Sequence, residues 1–126
     1  MEEPVKKALF ILAALLAAAV AFAQSPDLSK LPKGKWVDSN WAATWEIGAD
    51  SIRVLDAQGA VVFDFKDKIK DFAVDAKLTG VTFSFRCDEA ERSYVFTKGT
   101  ADLDLTMEIK RDWTAEPYSV KLKLQM

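Results

Sequence analysis

Leu103-Asp104-Leu105-Thr106-Met107-Glu108-Ile109-Lys110 and Tyr118-Ser119-Val120-Lys121-Leu122-Lys123-Leu124-Gln125-Met126 decide the fold class. In both segments apolar and polar side chains alternate strictly, the period of a strand with one buried and one wet face. The two segments are expected to pair as an antiparallel hairpin. A register with Glu108 opposite Lys121 also sets Met107 opposite Leu122, so charge and apolar patterns agree. Such a charge pair is worth only about 0.2–1 kcal/mol. The shared inner face is the stronger constraint, because a one-residue slip would turn every apolar side chain to water.

The same period runs backwards through the chain. Val81, Phe83, Phe85 and Cys87 alternate with Thr82, Ser84 and Arg86, and Tyr94 with Phe96 forms the inner face of the next short strand. Phe72, Val74 and Ala76 share a face. Ile69 falls on the parity of Asp71 and marks a bulge or a later strand start. Val61, Phe63 and Phe65 are expected inside, with Val62, Asp64 and Lys66 outside. Earlier still, Trp41, Ala43, Trp45 and Ile47 share one face, followed by Ile52 and Val54. Gly48-Ala49-Asp50, Asp56-Ala57-Gln58-Gly59 and Thr79-Gly80 supply turns. The count is eight strands, or nine if Trp36-Val37 is a strand of its own, with no helix of three turns from Lys35 onward. Successive hairpins with one apolar face either close into a small antiparallel up-and-down barrel or form two facing sheets. Closure removes exposed edges and is the expected architecture.

The chain of 126 residues opens with a polar segment ending in Lys6-Lys7, a charge-free run from Ala8 to Phe22, and the small-x-small site Ala21-Phe22-Ala23. Residues 1–23 thus read as a secretory signal peptide. The run is shorter than the roughly 20 apolar residues of a membrane span, so no stable span is expected after cleavage. An uncleaved amphipathic anchor is the other reading. The expected location is the periplasm or the medium of a bacterium. Residues 24–34, with Pro26 and Pro32, read as a polar lead-in with at most one helical turn at Ser25–Leu31, and residues 35–126 as a single domain.

Composition narrows the chemistry. The sequence has no histidine, one cysteine, and 17 basic against 19 acidic residues. Without the leader's Lys6, Lys7, Glu2 and Glu3 the balance is 15 against 17, again a net charge of -2, which offers no general attraction to nucleic acid. Histidine-based catalysis, imidazole zinc sites and an intrachain disulfide are excluded. Lys66, Lys68, Lys70 and Lys77 interleave with Asp64, Asp67, Asp71 and Asp75 as a mixed-sign surface. No carboxylate set has the spacing of a calcium loop, so neither metal nor other cofactor is expected. Cys87, on the inner face, reads as a buried thiol. No convergent catalytic set is visible, and the chain is expected not to be an enzyme.

Gly34-Lys35-Trp36, at the entrance to the first strand, resembles the Gly-x-Trp signature of the lipocalin-like (calycin) barrels. The resemblance implies a glycine that permits close backbone approach and a tryptophan that plugs one barrel end. It also implies a late arginine, here Arg111, packed on that tryptophan. The middle loop motif and C-terminal helix of lipocalins are missing. Small secreted inhibitors of bacterial metalloproteases share the early Gly-x-Trp on eight strands, but carry a disulfide that one cysteine cannot form.

The inward aromatic residues define the candidate site. Trp41, Trp45, Phe63, Phe83, Tyr94 and Tyr118 either line a pocket for a small, mostly apolar ligand or fill the interior completely. The two tyrosines are the inward groups able to give a ligand a hydrogen bond. Trp113, in the turn before the last strand, is a cap over the barrel mouth, a partner-binding ring or a loop anchor. The expected function is non-enzymatic binding of such a ligand in the bacterial envelope. The alternative is a protein-binding module, an inhibitor or envelope assembly factor, using the loops around Trp113 and Asp88 to Arg92.

Overall fold

The computed structural model describes residues 27–125. The expected signal peptide, residues 24–26 of the lead-in, and Met126 lie outside the described residues. The chain forms nine strands: β1 (Gly34–Asp38), β2 (Ala43–Ile47), β3 (Ile52–Leu55), β4 (Val61–Asp64), β5 (Lys70–Lys77), β6 (Gly80–Cys87), β7 (Arg92–Gly99), β8 (Leu105–Arg111) and β9 (Tyr118–Leu124). All belong to one antiparallel sheet, in the order β4-β3-β2-β1-β9-β8-β7-β6-β5. The count is nine because the short Trp36-Val37 segment is a strand in its own right, paired with β2 on one side and β9 on the other.

The order contains a parity constraint. A meander whose strands alternate in direction would leave β1 and β9 parallel, yet they pair antiparallel. One link must therefore fail to reverse direction, and it is the link from β4 to β5. These strands are the two ends of the ladder and run in the same sense within it. Nine is odd, so a ring of purely antiparallel pairs cannot close. The ladder joins first strand to last, while β4 and β5 remain edges among the described residues.

The sheet nonetheless curls on itself. From β2 to β7 is four strand spacings, about 19 Å in a flat sheet, but the Trp45 ring centroid on β2 lies 5.5 Å from those of Tyr94 and Phe96 on β7. Phe65, the first residue after β4, packs across the open seam. Its ring is 5.6 Å from Trp45, 5.3 Å from Phe85 and 5.3 Å from Tyr94, and its N–H donates to the Ile52 carbonyl at 3.0 Å. Side-chain packing here takes the place of a backbone ladder. Phe83 stacks on Phe96 at 4.7 Å, deeper in the same core.

The far end of the core is closed by residues 27–36. Leu28 and Leu31 are buried in the main cluster, in a turn closed by the Leu31 N–H on the Leu28 carbonyl and not in a helix. Trp36 is buried and its indole N–H donates to the Pro32 carbonyl at 3.1 Å. A Cβ on Gly34 (φ 135°) would stand 3.0 Å from Leu124 Cδ1, so glycine lets this entry segment press against β9. Arg111 is not on Trp36. Trp36 pairs with Leu124, beyond the Leu105–Leu122 pair, and Arg111 lies six residues past Leu105, about 20 Å further along β8.

Several local expectations are corrected. The β8–β9 register sets Leu105 opposite Leu122 and Glu108 opposite Ser119, two residues from the Glu108–Lys121 pairing. A two-residue shift keeps every apolar side chain on its face, and a charge pair of a few tenths of a kcal/mol does not hold the register against it. Lys123 instead reaches Asp104 at 2.6 Å. Leu103 precedes β8 and is 84 % exposed. Val61 is exposed because β4 is an edge strand whose ladder is irregular at Leu55, and Ala76 on the other edge strand is exposed too. The bulge expected near Ile69 lies between Lys70 and Ala73, with Asp71 at φ 54°.

Because Phe65 replaces backbone pairing at the seam, Phe65→Ala is expected to cost about 3–5 kcal/mol in urea denaturation, the range for emptying a buried aromatic site. Val62→Ala, on the exposed side of β4, is expected to stay within about 0.5 kcal/mol. Equal effects of the two would show that the seam is not held by this ring.

Candidate functional site

Three connections converge at one end of the curled sheet: β1–β2 (39–42), β6–β7 (88–91) and β8–β9 (112–117). Hydrogen bonds tie them together. The Asp112 N–H donates to the Glu91 carbonyl at 3.0 Å. Arg86 forks onto both oxygens of Asp112 at 2.7 and 2.6 Å and donates from Nε to Asp88 at 2.9 Å. Lys70 reaches Asp88 and Lys68 reaches Glu89, each at 2.8 Å. The bonded Arg86 guanidinium holds the Asp112 carboxyl below its usual range, and Lys70 followed by Arg86 does the same for Asp88. These groups are at the surface, so the network orders loops more than it stabilises the fold.

Below these loops lies a cleft of about 360 Å³. One wall comes from β2–β4 and Phe65, the other from β7–β9. Trp45, Phe63, Phe65, Tyr94, Met107 and Ile109 make it largely apolar. Trp45 and Val54 face each other across β2–β3, and Val54 and Phe63 across β3–β4. The apolar wall is thus a row of cross-strand neighbours, set by the alternation that built the sheet.

Of the residues expected to form a pocket, Trp41, Trp45, Phe63, Tyr94 and Tyr118 line this cleft together. Trp41 is 73 % exposed, because it lies in the β1–β2 loop and not on a strand, and so it stands at the rim. Phe83 is absent from the lining. It has the expected inward parity but is fully buried against Phe96. Trp113 is 57 % exposed and is not a lining residue. The Arg92 guanidinium sits 4.9 Å from its ring centroid, which anchors the β8–β9 loop beside the cleft. Cys87 is a fully buried free thiol on the inner face.

The polar groups of the cleft are Asp38, Arg92, Arg111 and the two tyrosines. Asp38 is only 2 % exposed. Its Oδ1 accepts the Asn40 N–H at 2.9 Å, and its Oδ2 accepts the Tyr118 hydroxyl at 2.9 Å. Tyr118 in turn accepts from Asn40 Nδ2 at 3.0 Å, so both its donor and an acceptor lone pair are engaged. Tyr94 is the tyrosine that remains available. Burial pushes its phenol up to about 12, against the opposing pull of Arg92. Burial also raises Tyr118, opposed by the bond from Asn40 and assisted by the Asp38 carboxylate. Sequence reasoning missed Asp38 and gave Arg111 and Arg92 other places, Arg111 on Trp36 and Arg92 at the end of a partner-binding loop. Their convergence depends on a register and loop geometry that no local pattern encodes.

Two outcomes follow. Spectrophotometric titration should show less tyrosinate absorbance at pH 10 in the folded protein than in the unfolded chain, because both phenols are raised from the value at which free tyrosine is half ionised. Because the folded phenol of Tyr94 titrates near 12, the unfolded chain loses this proton first. The corresponding stability is fully present below about pH 10 and declines as pH rises towards 12. Tyr94→Phe should flatten that decline. Tyr118→Phe leaves the buried Asp38 carboxylate one donor short and should destabilise the fold by about 1–3 kcal/mol. In a double-mutant cycle with Asp38→Asn, a coupling energy near zero would refute the bond's contribution. Comparison with protein-family models, with curated proteins and with solved structures gave no match.

Proposed function

We propose that this chain is an exported, lipocalin-like binding protein of the bacterial envelope that carries a small, mostly apolar ligand in the cleft beneath its β1–β2, β6–β7 and β8–β9 loops. The observation that carries the reading is the cleft itself: about 360 Å³, walled by aromatic and aliphatic side chains on two faces of one curled sheet. That size falls within the range of small-molecule sites, which combine apolar walls with a few placed polar groups. Binding there releases water from Trp45, Phe63, Met107 and Ile109 without requiring any of these rigid positions to be newly ordered.

The lining also favours carriage over catalysis. Its one carboxylate, Asp38, has both oxygens engaged by Asn40 and Tyr118, and arginine does not lose its proton in the working pH range. The remaining polar groups are donors, suited to orienting a ligand. Gly34-Lys35-Trp36 supports the lipocalin-like reading through a buried tryptophan at the entrance to β1, its indole N–H bonded to the Pro32 carbonyl. Residues 1–23 support export.

Titration with the neutral apolar fluorophore N-phenyl-1-naphthylamine, followed by energy transfer from tryptophan, tests the proposal. Saturable one-to-one binding is expected. Ala43→Phe, which puts a ring into the cleft, should weaken it tenfold or more, whereas Ala57→Phe in the exposed β3–β4 turn should leave it unchanged. Absence of saturable binding, or equal binding by both variants, would overturn it.

A further inference from the structure

We propose that the ligand of this cleft is an apolar-bodied monocarboxylate, with its carboxylate seated between Arg92 and Arg111. This inference rests on the binding role proposed above and specifies the chemistry of what is bound.

Arg92 and Arg111 are directly opposite one another in the β7–β8 ladder, and both line the cleft. Like charges in that relation repel, and an anion between them converts the repulsion to attraction. The protein supplies no such anion. In the neighbouring loops Asp112 is engaged by Arg86, Asp88 by Arg86 and Lys70, and Glu89 by Lys68, while Glu91 and Glu116 form no ion pair with either arginine. Asp38 is held by Asn40 and Tyr118. Among the described residues, neither Arg92 nor Arg111 has a carboxylate within ion-pair distance.

Arg111 carries the second, independent sign. Its Nη2 donates to the Glu116 carbonyl at 3.0 Å, but its Nε is buried without any hydrogen-bond partner. Buried donors are almost always satisfied in folded proteins, and a bare N–H on a charged group is among the more costly to leave unmet. A carboxylate oxygen meets this need through a charge-assisted bond. The Arg92 guanidinium lies over the Trp113 ring, a cation–π contact that supplies no anionic acceptor, and it also leans on the Tyr94 hydroxyl, so its charge has no anionic partner. Tyr94, protonated at all ordinary pH, adds a neutral donor on the same wall.

Charge selects the valence. Two guanidiniums against one carboxylate leave the lining one positive charge in excess, which a monoanion neutralises. The rest of the lining is apolar and takes the body of the molecule. Alkyl and aromatic acids share this chemistry, and the two are told apart by the probes.

The test is displacement of the neutral fluorophore by decanoate and by 2-naphthoate, each beside its methyl ester, from wild type, Arg92→Met and Arg111→Met, with Arg53→Met as a charge-matched control on the Glu46 pair. For wild type, at least one acid is expected to bind tenfold or more tightly than its own ester. Which acid does so distinguishes a flexible chain from a planar ring. In Arg111→Met and Arg92→Met the acid-to-ester affinity ratio, read within the same variant, should fall towards unity, and in Arg53→Met it should persist. Esters displacing the fluorophore as well as the acids do from wild type would overturn this inference while leaving the apolar binding role intact. A preference that survives both cleft variants would overturn it as well. Failure of wild type to bind the fluorophore, the acids and the esters would remove the binding role itself. The wild-type acid–ester comparison decides the matter even if a variant does not fold.

Discussion

The meeting of Trp45 with Tyr94 and Phe96 is the contact on which the rest of the molecule depends. These rings lie on strands four places apart in the ladder, so their approach to 5.5 Å forces the sheet to curl until its inner faces share one interior. Without the curl each strand would expose its apolar side, since no helix or second sheet among the described residues covers it. Edge-to-face ring pairs contribute about 0.5–1.5 kcal/mol each beyond their buried area. Phe65 and Phe85 extend the same cluster, and the network draws together strands that share no backbone hydrogen bonds. The cleft is the part of this interior that the rings leave unfilled beneath the loops.

Much of this was legible in the sequence because a strand's side-chain period is short and strict. The alternation is clear through β6, β8 and most of β9, and Phe83, Phe85, Cys87, Tyr94, Phe96, Leu105, Met107 and Leu122 are all buried, as their parity requires, although Leu124 on the same face is exposed. Parity tells which face a residue occupies and nothing about depth along the strand. Phe83 and Tyr94 are equivalent on that measure, yet one is deep in the core and the other borders the cleft. The register error between β8 and β9 has the same origin: a slip of two residues is invisible to a pattern of period two. Leu28 and Leu31 were missed as core residues because two leucines close to a proline carry no periodicity.

The arginine pair illustrates a different limit. Arg92 and Arg111 stand 19 positions apart in the chain, each at the end of its strand where alternation gives way to a loop. Only the β7–β8 register brings them face to face. Arg86, Lys68 and Lys70 have in turn taken Asp112, Glu89 and Asp88 from the surrounding loops. Exclusive pairing of this kind is a property of the folded surface as a whole.

The seam between β4 and β5 carries a mechanical consequence. The two walls of the cleft are joined on one side by the continuous β1–β9 ladder, and on the other by Phe65 and its ring contacts. Spreading the walls at the seam therefore ruptures no interstrand backbone bond; it slides aromatic faces past one another. The curled sheet is a clasp and not a hoop: side-chain packing sets its girth at the seam, while the backbone ladder runs on through the strands that bear the arginines.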